Sequence, residues 1–243
     1  MNPRSSVPPD GAYTLDRGST LRLIDEIEAG LAGDVEAVLL RAGEELGGAW
    51  EWLPGAARRS ETGLVLARAG AAMVAIVPPF PFEPAPCGTA PPAPLKALRD
   101  LLVRRRLVAV VLVRLGAYAV GVLYDGRLIL SKTGTRYVPA PHRAGGQSQR
   151  RFERGRERWI RELYDEVCDV CRSRLGPYAD DLQHLAIGGD RHVLNAFLKR
   201  CEWLAPIAAR LLPPGVPVQR PGLAALRHAG AAIWSSRVYV RRP

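Results

Sequence analysis

The chain has 243 residues, 47% of them hydrophobic and 24% charged, and 34 Lys and Arg against 24 Asp and Glu give it a formal charge of +10. That length and apolar content fit one large or two small packed domains of ordinary soluble composition, which excludes a disordered or fibrous chain, and the surplus of positive charge points to a polyanionic partner. The start, Met1 to Pro9, lacks the apolar stretch of a secretory signal, and the longest apolar run, Leu107 to Leu123, is split by Arg114 and Gly116, so a cytoplasmic protein with a hairpin there is expected in place of a membrane span.

In chain order, Leu21, Leu23, Ile24, Ile27 and Leu31 have helical spacing, with Ser19 or Thr20 placed to cap the helix. Residues 35–40, 63–69 and 72–77 read as short strands. Eight prolines between Pro78 and Pro94 exclude a helix or a central strand there, so this segment is expected to connect an N-terminal α+β extension, residues 1–94, to a second domain, residues 95–243. The extension is expected either to be a small domain or to add strands to the sheet of the second. Residues 95–105 form an amphipathic helix. Strands follow over 107–114, 118–124 and 127–138, the last two joined by Asp125-Gly126, a strong two-residue hairpin signal, so a three-strand antiparallel meander is predicted. After a loop, a long helix runs from about Gln149 to Leu175 and stops at Gly176-Pro177. A short strand at 184–188, a helix at 191–200 and further strands at 216–219 and 237–240 complete the reading.

The charge is a patch. Between Arg127 and Arg161 lie ten Lys or Arg and only two acids, Glu153 and Glu157, so this window carries +8 of the net +10. At about 100° per residue, Phe152, Trp159, Leu163, Val167 and Val170 fall on one side of the long helix, and Arg150, Arg151, Arg154, Arg158 and Arg161 on the other. The helix should pack by its apolar face and present arginine to phosphate.

Four cysteines (87, 168, 171 and 201) without a signal peptide predict free thiols in a reducing compartment. The Cys168-x-x-Cys171 pair lies inside a predicted helix and has no second pair to complete a zinc site, so no metal or redox role is expected. Asp165 and Asp169 are expected to pair with arginines. His184, His192 and His228 read as structural or surface residues, and His142 as a loop residue near phosphate. Gly188-Gly189-Asp190 after a strand lacks the lysine and spacing of a phosphate-binding loop.

The most informative residues are Arg143, Gly145, Gly146, Gln147, Ser148, Arg150, Arg151 and Phe152. Two glycines permit backbone angles closed to other residues and close approach to a ligand, so they can present Gln147 at a loop tip. This Gly-Gly-Gln-Ser loop with Arg-Phe four and five residues beyond the glutamine resembles the catalytic loop of eukaryotic and archaeal class-one peptide release factors. It is also similar to the release-factor-like domain of ribosome quality-control peptidyl-tRNA hydrolases. The resemblance covers residues 95–200, and it implies an α/β (α+β) fold with an RNase H-like mixed sheet.

It further implies a compact member of this group, in which Gly145, Gly146 and Gln147 are catalytic and no cofactor or metal takes part. Arg143, Ser148, Arg150, Arg151, Arg154, Arg158 and Arg161 would contact RNA, Ser148 also capping the helix. The implied partners are the large ribosomal subunit with its rRNA and peptidyl-tRNA, without DNA or membrane, bound by a monomer. The Asn-Ile-Lys-Ser motif with which release factors read stop codons does not occur in the sequence. This moves the expectation from termination to codon-independent hydrolysis of peptidyl-tRNA on stalled ribosomes. A nuclease cutting the 3′ end of tRNA and a non-catalytic module that holds the ribosome idle are the alternatives.

Overall fold

The computed structural model describes residues 10–29, 36–44, 46, 48–69, 71–83, 93–139, 147–213 and 215–242. In chain order the elements are β1 (Gly11–Leu15), α1 (Arg17–Ala29), β2 (Ala37–Leu40), α2 (Gly55–Arg58), β3 (Leu64–Ala69), β4 (Ala72–Val77) and α3 (Pro94–Val103). They continue with β5 (Leu107–Arg114), β6 (Ala117–Tyr124), β7 (Arg127–Thr135), α4 (Gln147–Leu175), β8 (His184–Gly189), α5 (Arg191–Arg200), α6 (Ala205–Ala208), α7 (Leu223–Ile233) and β9 (Ser236–Arg241).

Two compact units result, one from residues 1–104 with 234–243 and one from 105–233. This differs from the expected boundary between residues 94 and 95 because β9, at the far end of the chain, pairs antiparallel with both β1 and β4. The first unit therefore owns its own antiparallel sheet, in the order β1-β9-β4-β3-β2. Within it, α1 begins four residues before the predicted start. Its cap is Asp16, whose carboxylate accepts the Ser19 N–H at 2.7 Å, and not Ser19 or Thr20; the Thr20 hydroxyl turns back to the Asp16 carbonyl. Most of the proline segment, residues 84–92, lies outside the described residues.

The second unit is built on the mixed sheet β7-β6-β5-β8. The meander forms as expected, and its β6–β7 turn is made by Asp125 and Gly126, both at positive φ (51° and 83°), the condition for a type I′ hairpin. β8 joins β5 in parallel. Leu211 and Val216 make parallel bridges to Leu185 and Gly188 of β8, so the strand expected at 216–219 is reduced to one bridge at Val216. β5 and β6 are buried on both faces, which accounts for their unbroken apolar runs. Ala109, Val111, Val113, Tyr118, Val120 and Val122 on one face share a core with Leu163, Val167 and Cys171 of α4 and with Phe197 of α5. On the other face, a Cβ added to Gly121 would press on Leu226 of α7 at 3.2 Å, and one added to Gly230 would come within 2.5 Å of the Gly126 carbonyl, so glycine is required at 230 for that approach.

Candidate functional site

The 29-residue helix α4 begins at Gln147, two residues before its predicted start. Gln147 is thus the first helical residue and Ser148 the second, which corrects the reading of Ser148 as a cap that precedes the helix. The first four N–H groups of a helix have no carbonyl partner within it and sit at its positive dipole end. The Gln147 N–H is one of these donors. Arg143, Gly145 and Gly146, with His142, lie outside the described residues, as do the side chains of Gln147, Ser148 and Arg150.

The β7 side of the loop is fixed to α4 by side chains. The Arg136 guanidinium bridges Glu166 and Glu162 of α4, each at 2.8 Å, and the Arg136 N–H donates to the Gly116 carbonyl at 3.1 Å. Glu166 also accepts the Tyr118 hydroxyl at 2.9 Å. The Arg136 hydrogen bond, aided by Tyr118, holds the Glu166 carboxyl below the usual carboxylate range, and the two glutamates raise the Arg136 pKa in return. Burial, then the Glu166 hydrogen bond, pushes the Tyr118 hydroxyl up to about 12. Three residues after Arg136, the Pro139 carbonyl accepts the Arg156 Nε–H at 2.9 Å. The segment that leads out of β7 is therefore tied to α4 at Arg136 and at Pro139.

The arginine stripe is exposed as expected at Arg151, Arg154, Arg158 and Arg161. Arg158 meets Glu162 at 3.3 Å and Arg161 meets Glu157 at 3.9 Å, both at i,i+4 spacing, so part of their charge is answered within the helix. Arg151 and Arg154 have no carboxylate partner among the described residues. Among the described residues they are exposed cations near the loop that no carboxylate answers. The opposite face buries Leu163 and Val167 completely, with Phe152, Trp159 and Val170 half-buried.

The sequence reading missed Tyr137, just beyond β7, which is 78% exposed and meets Trp159 of α4 edge-on at 6.4 Å between ring centroids. The Arg136 brace was also missed. Its only sequence trace is the Glu162/Glu166 spacing, which places both carboxylates on one face of a helix.

The cysteine expectation is overturned. Cys168 on α4 is bonded to Cys201, the residue that ends α5, and not free; the pairing unites positions 33 residues apart that only the tertiary fold brings together. Cys171 stays a free thiol, fully buried, and burial pushes it up to about 12, far from a reactive thiolate. Cys87 lies outside the described residues. Asp165 pairs with Arg200 through two bonds of 2.5 and 2.8 Å, as expected of it, and is held below the usual range by that partner. These groups, with Asp169, Arg172, Glu202 and Trp203, line an open crevice of about 270 Å³. At 1.5 Å per residue, Asp165 is about 27 Å along α4 from Gln147, so the crevice is no part of the loop site.

Gly188 and Gly189 serve packing. A Cβ on Gly188 would meet the Val216 carbonyl at 2.4 Å, and one on Gly189 the Val113 carbonyl at 2.0 Å, while Asp190 caps α5 by accepting the His192 N–H. Among the described residues no group of three or more His, Cys, Asp or Glu could hold a metal ion, and no helix is long and apolar enough to cross a membrane.

A family model described as Actinobacteria/chloroflexi VLRF1 release factor matches residues 106–239. Peptide chain release factor subunit 1 of Archaeoglobus fulgidus is 37% identical over 95 residues, which are 39% of this chain and 23% of that protein. Its counterpart from Aeropyrum pernix is 28% identical over 134 residues, 54% of this chain and 36% of that protein. The chain thus spans about a quarter to a third of the length of these curated relatives. Among solved structures, the archaeal translation termination factor aRF1 aligns with a TM-score of 0.43 and 17% identity, covering 90% of this chain and 73% of that one. Pelota of Archaeoglobus fulgidus aligns with a TM-score of 0.34 and 14% identity, covering 94% and 62%.

Proposed function

The chain belongs to the Actinobacteria/chloroflexi VLRF1 release factor family, and from that membership we propose that it is a codon-independent peptidyl-tRNA hydrolase that frees nascent chains from stalled ribosomes or large subunits. The observation that carries the reading is the place of Gln147, directly after two glycines and at the first position of α4.

Water attacks the ester carbonyl carbon, negative charge gathers on the carbonyl oxygen, and collapse of the intermediate expels the 3′ oxygen of the tRNA. Glutamine does not titrate near neutral pH, so Gln147 takes no proton as a general base. Its backbone N–H, in the first turn at the positive end of a long helix, donates to the charge that develops; one such donor is worth about 2.7–4 kcal/mol. Its side-chain amide places the attacking water, and the 2′-hydroxyl of the terminal ribose assists the leaving oxygen. Gly145 and Gly146 shape the tip. Arg143, Ser148, Arg150, Arg151, Arg154, Arg158 and Arg161 face rRNA or the tRNA acceptor end, with Arg151 and Arg154 contributing most because nothing described within the chain neutralises them.

The test is hydrolysis of labelled peptidyl-tRNA on stalled large subunits by the wild type and by Gln147→Ala, with the 3′ end of the released tRNA sequenced. Release with an intact CCA end, lost in the variant, is expected. A shortened tRNA would assign a nuclease instead, and tight binding without release would leave a module that occupies the ribosome.

A further inference from the structure

Tyr137 is the most exposed of the large hydrophobic side chains among the described residues. An isolated tyrosine left in water gains nothing from folding, yet the chain on both sides of this one is tied to α4 and its ring meets a tryptophan there. The residue before it, Arg136, is tied to Glu162 and Glu166. Two residues after it, the Pro139 carbonyl is tied to Arg156. Its ring meets that of Trp159 in a T-shaped contact, 6.4 Å between centroids and at an interplanar angle of 63°, and with the side chain 78% exposed most of the ring surface stays open. Trp159 is 12 residues along α4 from Gln147, or about 18 Å at the helical rise, on the same helix that carries Arg151, Arg154 and Arg158.

We propose that Tyr137 is a stacking platform for one unpaired nucleobase of the RNA that receives the loop. The chemistry is that of single-strand binding, in which cations follow the backbone and a fixed aromatic ring takes a base by its π face without regard to sequence. A tyrosine already immobilised loses little freedom on binding, which is where such a contact gains over a mobile one. The platform positions and does not react: at that distance from Gln147 it contributes equally to substrate and transition state, so it acts on affinity and leaves turnover alone.

This inference rests on the reading of the chain as an RNA-directed hydrolase, and the experiment separates the two. Binding of the full chain is measured against salt for two probes, isolated large ribosomal subunits and an RNA minihelix ending in single-stranded CCA, with wild type, Tyr137→Phe and Tyr137→Leu. Phenylalanine keeps the π face and should bind as wild type. Leucine keeps apolar bulk without it and should weaken binding at least about fivefold. The loss should appear as a parallel displacement of the log K against log salt line, because every phosphate keeps its cation. The probe that shows the loss identifies the base as ribosomal or as part of the tRNA end. Leucine binding as tightly as wild type on both probes, or a changed salt slope, overturns the platform while leaving the hydrolase reading intact. Absence of salt-dependent binding by the wild type to either probe overturns the RNA-directed reading itself. The side chain is exposed, so a folding defect in Tyr137→Leu, read by circular dichroism, would equally contradict the placement.

Discussion

Gly134→Ala should weaken the second unit through one buried ring. Gly134 on β7 stands opposite Tyr118 on β6, and the tyrosine ring lies over the glycine, so an added Cβ would sit 2.3 Å from both Cζ and Oη and 2.5 Å from Cε1. Ordinary contact begins at 3.4 Å, which requires the ring to retreat by about 1 Å. It has little space for that, being only 2% exposed and packed in the core shared with α4. Overfilling a packed core costs about 1–3 kcal/mol. The retreat also pulls the hydroxyl from Glu166, and a hydrogen bond to a charged group contributes about 1.5–3 kcal/mol, taken at its lower end here because Glu166 is partly exposed. Together they predict a loss of about 3 kcal/mol, read as the shift of the urea midpoint at constant slope. Tyr118→Phe, which removes the hydroxyl without a clash, should cost about 1.5 kcal/mol. In a Tyr118→Leu background Gly134→Ala should become nearly neutral, because the obstructing ring is gone. An alanine cost that is the same in both backgrounds would refute the clash as its origin.

Four other outcomes can be checked separately. The stability that Glu166 contributes should be fully present above about pH 4.5, its ordinary value, and disappear as pH falls through the lowered folded value, an acid sensitivity that Glu166→Gln should lack in pH-dependent unfolding. Cys168→Ser with Cys201→Ser reopens a 33-residue separation and should cost about 4 kcal/mol by loop entropy, a loss that a reducing agent reproduces in the wild type and not in the variant. Gln147→Pro removes both the N–H and the side-chain amide while keeping a φ suited to a helix's first turn, so helix content should persist while turnover falls at least about 10²–10³-fold; full activity would exclude both groups from the reaction. Replacing Arg150 and Arg151 by Glu should move stability and ribosome affinity in opposite directions.

What could be read from the sequence was what short-range patterns determine. The Asp125-Gly126 hairpin was legible because only a few residues tolerate positive φ at both turn positions, and β5 and β6 because their apolar runs admit burial on both faces. Elements defined by distant partners were not. β1 is a half-polar edge strand that exists by pairing with β9, more than 200 residues away, and this return also decides where the units divide. Helix α7 was hidden in an alanine- and glycine-rich stretch whose glycine is needed against the Gly126 carbonyl. At the site, the arginine stripe followed from helical angles, while the internal pairing that leaves Arg151 and Arg154 available depends on side-chain positions that no periodicity encodes. The disulfide was invisible for the same reason, and the C-x-x-C spacing drew attention to the wrong partner.

The last turn of α4 carries Arg172 and Arg174, as a stable helix prefers, but the charge in its first turns runs the other way. A helix gains from acids in its first turn and bases in its last, about 0.3–1 kcal/mol each, yet this one has no acid in its first turn and places Arg150, Arg151 and Arg154 directly behind it. Arg150 and Arg154, and again Arg154 and Arg158, stand four apart as like charges. The acids Glu162, Asp165 and Glu166 lie in the second half, where Glu162 and Glu166 brace Arg136 and Asp165 braces Arg200. The free protein therefore keeps an electrostatic cost at the end that carries the loop, and a phosphate backbone laid there removes it. Arg150→Glu with Arg151→Glu relieves the same cost internally, so the variant should be about 0.5–1 kcal/mol more stable than the wild type. Its ribosome affinity should fall, and the salt slope should flatten by about 0.7–0.9 for each phosphate that is no longer neutralised. Stability and affinity falling together would mean that these arginines serve the fold, and the assignment of this end of the helix to RNA would have to be withdrawn.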